Sequence, residues 1–471
     1  MSNQGRYSKL VENTIIYGIG TFGSKILQFL IVPLYTYVLT TEEYGQIDIF
    51  VITISLLVPF VTLYVQEAVI RFLTVREMSE QQAVSNCLAI FAMSIPACFC
   101  FSLLFAWSVG FTFFVPFFIC LALNAFMTIF QNYLRACGKT VNFVICGLIN
   151  TFVFLAMNVI LLVVFRMGIL GYLASMIVSY VVSSLYIIVS GRLIANFSLK
   201  AINRSILARM IKFSVPLVPN GLMWWAMSAG DKYIIAFALG ADANGIFSLS
   251  LKIATLVTTV FSVFMQAWEL SAIEESSSED RLSFYENVFK SMMALLVIST
   301  LVVVIATRPV FLLIIDSSYY EANFYSPLLC ASSVFNCVAT FAGTSYLVLN
   351  NTKRSFTTTF IGACANVILC MFSITAFGLA GVSISFVVGY ALVAFLRMSD
   401  MRKEISFGVD SVRTVVSIVM IMVIAAIHLV IDGLVVDIVA SLCLAVAVVI
   451  YRKELQGMWS FALERVKKKR Q

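Results

Sequence analysis

The chain has 471 residues, 61% of them hydrophobic and only 12% charged, with a formal net charge of +7. Soluble globular domains carry about 25% charged residues, so a soluble fold is excluded, and no nucleic-acid-binding motif is present. A mean hydropathy of +0.99 and a stretch from 81 to 134 without Asp, Glu, Lys or Arg exceed what one crossing of about 20 residues needs and define an all-α polytopic membrane protein.

In chain order the apolar runs predict about 14 transmembrane helices. They lie near 14–39, 45–70, 84–107, 112–134, 142–165, 169–190, 213–239, 245–270, 286–306, 325–349, 356–377, 380–397, 412–431 and 433–451. The alternating segments of about ten residues that mark a β-barrel are absent. The first run is long enough to cross the bilayer and reads as a retained helix, not a cleaved signal. Most connections are short, so neighbouring spans run antiparallel. With the N-terminus in the cytoplasm, 26 of the 31 Lys and Arg residues fall in cytoplasmic segments, Arg397 among them, and only Arg166 and Arg308 in outer ones. That asymmetry sets the orientation and places both termini inside. The basic tail ERVKKKRQ then rests against the anionic inner leaflet. The eleven cysteines show no metal-ligand spacing and read as small apolar helix residues.

The chain looks duplicated. LTTEEYGQIDI (39–49) pairs with LGADANGIFSL (239–249) at an offset of 200, and GILGYLASMIVSY (168–180) with GLAGVSISFVVGY (378–390) at 210. This predicts two pseudo-symmetric six-helix bundles, 1–195 and 196–400, two additional helices in 401–451 and the tail 452–471. Many transporters bind cargo at such a repeat interface. Pro33 and Pro59 lie in spans one and two, and Pro216 and Pro219 open span seven. Each removes a backbone donor and predicts a bend, or is simply tolerated in a membrane helix.

Several passages together carry a family resemblance: VPLYTYVLTTEEYGQIDI, QNYLRACGKTVNF, and DKYIIAFALGADANGIFSLSLKIA with the following FMQAWE. The chain resembles the Wzx-type polysaccharide (O-antigen) flippases of the multidrug/oligosaccharidyl-lipid/polysaccharide exporter superfamily. The resemblance implies translocation of an undecaprenyl-pyrophosphate-linked oligosaccharide across the bacterial cytoplasmic membrane by alternating access, with H+ or Na+ as counter-ion. It also implies membrane lipids, and a polysaccharide polymerase or glycosyltransferase, as partners. No cofactor and no metal are expected.

Charges inside the spans supply the candidate residues, since each costs roughly 2.5–3.5 kcal/mol at the centre of a bilayer helix. Lys25 lies about eleven residues into span one, roughly 15 Å deep at about 1.5 Å per residue, and is either a cargo-facing cation or the partner of a buried acid. Lys232 and Lys252 sit at a shared, shallower level, where partial snorkelling is the alternative. Asp231 is expected to pair with Lys252 or Lys25, either statically or as a pair that opens to couple cargo to an ion. Glu67 and Arg71, four apart, form an ordinary helix pair, or Arg71 admits the pyrophosphate with Glu67 assisting coupling. Asn124, Gln131, Asn150, Asn158, Asn336 and Asn366 read as interhelical contacts, and the lone His428 as an interfacial side chain.

Three rivals stand beside this reading. They are a multidrug cation antiporter of the same superfamily, a lipid II flippase, and a membrane polysaccharide polymerase or glycosyltransferase. An enzyme of the last kind needs a sizeable catalytic outer loop. The longest one here, about 307–324, holds only Arg308, Asp316 and Glu321 as charged residues.

Overall fold

The computed structural model describes residues 31–274, 281–348, 351–405, 411–431 and 433–457. Among them every regular element is helical, and ten helices are long and apolar enough to cross a membrane, with Leu434–Ile450 a shorter apolar helix. The protein is an all-α polytopic membrane protein. Its chain divides into two compact units, Met1–Ala229 and Gly230–Gln471.

In the first unit the principal helices are α1 (Thr41–Val61), α2 (Val65–Thr74), α3 (Glu80–Val109), α4 (Phe114–Ala136), α5 (Thr140–Asn158), α6 (Gly168–Ser190), α7 (Arg204–Ser214) and α8 (Val218–Ala229). Two of them start with reciprocal capping boxes written in the sequence. Thr40 accepts from the Glu43 amide at 3.1 Å while Glu43 accepts from the Thr40 amide at 3.0 Å. Ser79 and Gln82 repeat the exchange at 3.2 and 3.1 Å. Each box satisfies two of the donors that a helix start leaves bare.

Helix α4 is central, packing on α1, α2, α3, α5 and α6. Its Phe117 stacks on Phe105 at 4.1 Å and meets Phe50 edge-on at 5.1 Å. Lipid is as apolar as a side chain, so close packing, not water exclusion, holds such a bundle together. Ser175, Ser179 and Ser183 make a buried small-residue row on α6, and α5 approaches along it, with the Asn150 amide donating to Ser179 at 3.5 Å.

Span two is not continuous. Leu63 (φ 50°) and Tyr64 (φ 58°) adopt left-handed backbone between α1 and α2, just after Pro59, which remains inside α1. Bulky residues rarely hold that conformation, and packing enforces it here. Gly221 lies so close to the Tyr64 ring that a Cβ would come within 2.6 Å of Cε2. Pro33 also acts differently from expectation. It occupies the first turn of a short helix, Val32–Val38, and starts it, because proline's missing donor costs nothing there.

The basic stretch 191–212 is docked, not loose. Asn203 caps α7 and its amide donates to Asn86 at 3.1 Å, the Ser198 amide donates to Ser85 at 3.1 Å, and Arg209 pairs with Glu77 at 2.9 Å.

The second unit contains α9 (Asp231–Ala238), α10 (Gly240–Glu274), α11 (Arg281–Leu313), α12 (Ala322–Val348), α13 (Thr352–Ile405), α14 (Ser411–Val430) and α15 (Leu434–Ile450). Span seven is therefore divided at Gly230 into α8 and α9. Helix α13 comprises spans eleven and twelve, folded at Gly378, whose φ of 55° breaks the helical path. Helix α12 is the hub, touching α10, α11, α13 and α14, as α4 is in the first unit. Trp268 of α10 stacks on Phe341 of α12 at 4.6 Å and donates to Thr344 at 3.0 Å.

The two halves reuse one hairpin. Gly168 and Gly378, the first residues of the matching segments, both have φ of 55°. Three residues on, Gly171 and Gly381 each face a carbonyl of the preceding helix. A Cβ would lie 3.2 Å from the Leu161 oxygen in one case and 2.3 Å from the Ser373 oxygen in the other.

Arg308, expected in an outer loop, lies in α11 and pairs with Asp437 of α15 at 2.8 Å, both side chains about four-fifths buried. Removing one partner of a largely buried pair costs more than at an exposed surface, where about 0–1 kcal/mol is typical. Arg308→Ala is expected to lower stability by about 1–2 kcal/mol. Thermal unfolding in detergent checks this, and Asp437→Asn should add little in the same background.

Candidate functional site

The strongest site lies inside the second unit, where α9 begins. Asp231 follows the break at Gly230 and is 0% exposed. Its Oδ2 accepts from the Asn366 side-chain amide on α13. Cys370, one turn beyond Asn366, lies near the same carboxylate. Tyr390, from the outgoing half of α13, adds its ring to the surroundings. Among the described residues no lysine or arginine pairs with Asp231.

Glycine makes this arrangement possible. A Cβ on Gly389 would sit 2.8 Å from the Asn366 Cβ, and one on Gly362 would sit 2.1 Å from a Val393 methyl. The two limbs of α13 thus approach closely where Asn366 must reach Asp231. Two acceptors are then left over, as Asp231 Oδ1 and Asn366 Oδ1 are buried without a hydrogen-bond partner. A buried carboxylate oxygen without a donor is costly, so Asp231 Oδ1 is an acceptor with unused capacity. Among the described residues no three His, Cys, Asp or Glu side chains converge on a metal site.

The duplication is asymmetric here. At the offset of 200, Asp231 corresponds to Ile31, which is buried and apolar. Tyr180, the counterpart of Tyr390, accepts from the Asn124 amide at 2.9 Å instead of facing an acid. Only the second unit carries the carboxylate at this place.

The chain matches the family described as polysaccharide biosynthesis protein over residues 10–268, more than half its length and across Asp231. It belongs to that family. None of the curated protein sequences compared with it matches. Among solved structures, the lipid II flippase MurJ in an inward closed conformation superposes with a TM-score of 0.71 at 13% identity, covering 95% of this chain and 100% of that one. An inward-facing multidrug resistance MATE transporter of the MOP superfamily gives 0.62 at 14% identity, covering 81% and 94%. A MATE in the straight conformation gives 0.56 at 16%, covering 84% and 96%. The polysaccharide biosynthesis protein thus has the fold these transporters share.

In this family member the predicted residues fall as follows. Lys25 lies outside the described residues. Lys232 is half-buried beside Asp231, and Lys252 is exposed on α10. Asp231 does not pair with Lys252: the acid is buried against Asn366 while the lysine is exposed. Glu67 and Arg71, both exposed, do not pair either. The Arg71 guanidinium lies over the Phe213 ring at 4.6 Å, a cation–π contact that draws it across to α7. Asn158 returns to its own helix, donating to the Phe154 carbonyl at 2.6 Å, instead of bridging to another.

Two further assignments change. His428 is 1% exposed, a buried side chain and not an interfacial one. Arg397 is no loop cation either. It is 4% exposed and donates to Thr358, Thr359 and the Ala339 carbonyl at 3.2, 2.8 and 3.1 Å. Gly343 makes room for it, since a Cβ there would meet its Nη1 at 2.6 Å. Asn366 was legible only as a generic interhelical amide, and Cys370, Tyr390 and Arg397 carried no signal in the sequence.

The segment 307–324, expected to be an outer loop, gives its charged residues structural work. Arg308 binds Asp437, and Glu321 accepts from the Tyr325 hydroxyl at 2.6 Å. Asp316 caps the turn Ser317–Tyr319, and the Ser318 hydroxyl, followed by its amide, holds the Asp316 carboxyl below the ordinary range.

Proposed function

We propose that the protein translocates an undecaprenyl-pyrophosphate-linked oligosaccharide across the bacterial cytoplasmic membrane by alternating access, coupled to a counter-ion through Asp231. Family membership supports a role in polysaccharide biosynthesis, and the fold supports transport. The observation that carries the choice of cargo class is coverage. The lipid flippase fold extends over 95% of the chain, and the MATE folds over 81–84%. That favours a lipid-borne cargo over a soluble cationic drug.

In this mechanism Lys25, Lys232, Lys252 and Arg71 meet the pyrophosphate from a cytoplasmic approach, and the prenyl tail stays in lipid. Cations on a cargo path both attract the diphosphate and lower the cost of carrying its charge through a low-dielectric slab. Asp231 alternates between a neutralised state, buried beside Asn366, and an exposed ionised one; its burial and its hydrogen bond to Asn366 support this reading. The ion it takes up is H+ or Na+, and no covalent step is involved. Both termini are cytoplasmic, and a polysaccharide polymerase or glycosyltransferase acts on the delivered unit.

A lipid II flippase is the second reading, favoured by the MurJ likeness. Purified protein in liposomes, offered each lipid-linked cargo in turn, separates the two. Selective flipping of the lipid-linked oligosaccharide supports the first reading, and selective flipping of lipid II replaces it. Lys25→Ala is expected to abolish polysaccharide export at unchanged protein level and topology, and full export by that variant would remove Lys25 from the mechanism.

A further inference from the structure

The first unit holds a polar cavity away from its aromatic core. It measures about 460 Å³ and is lined by Glu80, Lys139, Asn142, Ser190, Arg192 and Asn196. Every lining residue is polar, in a chain that is 61% hydrophobic. These residues come from the start of α3, the turn between α4 and α5, the first turn of α5, and the end of α6 with the residues after it. Those four helices are apolar crossing segments that alternate in direction, so these ends share one face, at the boundary between hydrocarbon and water.

The lining is rich in donors. Neither Lys139 nor Arg192 has an ion pair or a side-chain hydrogen bond among the described residues. Arg192 is held in left-handed backbone, φ 53°, a conformation that is costly for a residue with a Cβ. The Ser190 hydroxyl is buried without a partner. Glu80 is already engaged, accepting from the buried Tyr133 hydroxyl at 3.3 Å, and the Asn196 amide reaches that same hydroxyl at 3.5 Å. Two cations, two side-chain amides and an unsatisfied hydroxyl face one occupied carboxylate.

We infer that this cavity binds a phosphate ester at the membrane interface, and specifically the headgroup of a phospholipid. Lys139 and Arg192 supply charge-assisted hydrogen bonds to the phosphate oxygens, Asn142 and Ser190 complete its shell, and the acyl chains remain in lipid beside the helix ends. Binding there ties the ends of α3, α4, α5 and α6 to the bilayer surface.

The test uses the full chain purified in detergent, with native mass spectrometry and thermal unfolding as readouts. The probes are short-chain phosphatidylglycerol, short-chain phosphatidylethanolamine and inorganic pyrophosphate, the last standing for a diphosphate without a phospholipid. The expected result is retained phospholipid and a raised unfolding temperature in the wild type. The Lys139→Gln/Arg192→Gln variant should bind about tenfold or more weakly, and Lys139→Arg/Arg192→Lys should restore binding. A wild type unaffected by phospholipid, an equal response in the double Gln variant, or pyrophosphate alone reproducing the shift at equal concentration would each overturn the assignment. Should the double Gln variant not purify, competition by phospholipid for acylation of Lys139 in the wild type gives the same answer, with no protection counting against the site.

Discussion

Asp231→Asn is expected to abolish ion-driven transport while leaving the fold intact. Asparagine has the shape of aspartate and keeps an oxygen for the Asn366 amide, so the packing between α9 and α13 survives. What disappears is the capacity to alternate between charged and neutral forms. In the wild type the carboxylate is fully buried, with one oxygen bonded to Asn366 and the other unsatisfied. In the proposed mechanism this group stays inside when neutralised, and returning it to the ionised form favours a conformation that brings it to water. That differential preference is the only means by which an ion can bias two conformations. Without it, gradient-driven flipping should fall by about a hundredfold or more, which corresponds to a coupling of about 2.7 kcal/mol or more. Stability should change little, because asparagine keeps the shape and the oxygen that accepts from Asn366. The measurement is cargo flipping in proteoliposomes under an imposed proton or sodium gradient, with thermal unfolding alongside. Undiminished gradient-driven flipping in Asp231→Asn would remove the carboxylate from coupling. The same assay identifies the ion, since only its own gradient should drive the wild type.

Gly389→Val should lose both stability and transport. A side chain at 389 must displace Asn366, whose Cβ would lie 2.8 Å from the new one and whose Cα 3.4 Å from it. Overpacking of this kind costs about 1–3 kcal/mol. Pulling the Asn366 amide from Asp231 leaves a buried donor and acceptor unmatched, at about another 1–3 kcal/mol. The two costs share one cause, so they should not add to a later loss of the amide. Asn366→Ala in the Gly389→Val background is therefore expected to cost much less than Asn366→Ala alone, a coupling that a double-mutant cycle reads directly. Strict additivity would mean that Gly389 serves the helix crossing without seating Asn366. Gly381→Ala is a useful comparison, as it clashes with the Ser373 carbonyl at 2.3 Å on the same helix pair. It should destabilise without specifically uncoupling transport.

The all-helical membrane class, and ten crossing segments among the described residues, were legible in the sequence. Insertion into a bilayer is nearly a one-dimensional problem, in which each window of about 20 residues is weighed against hydrocarbon on its own composition. The capping boxes at Thr40 and Ser79 are local too, but they became visible only in the structure. Asp231 stood out in the sequence, because an acid in an apolar run is costly wherever the chain folds. Its partner did not. Asn366 is 135 residues away and resembles every other amide in a span until α13 folds back at Gly378 and Gly389 lets its limbs close. The sequence spacing of Glu67 and Arg71 suggested a pair, yet a ring from α7 holds the arginine instead. The break at Leu63 and Tyr64, and the burial of Arg397 and His428, were decided the same way. The sequence by itself determined which segments meet the bilayer, because that depends on each segment's own transfer energy. The tertiary structure alone decided which polar groups meet each other, because that depends on helix faces brought together from distant parts of the chain.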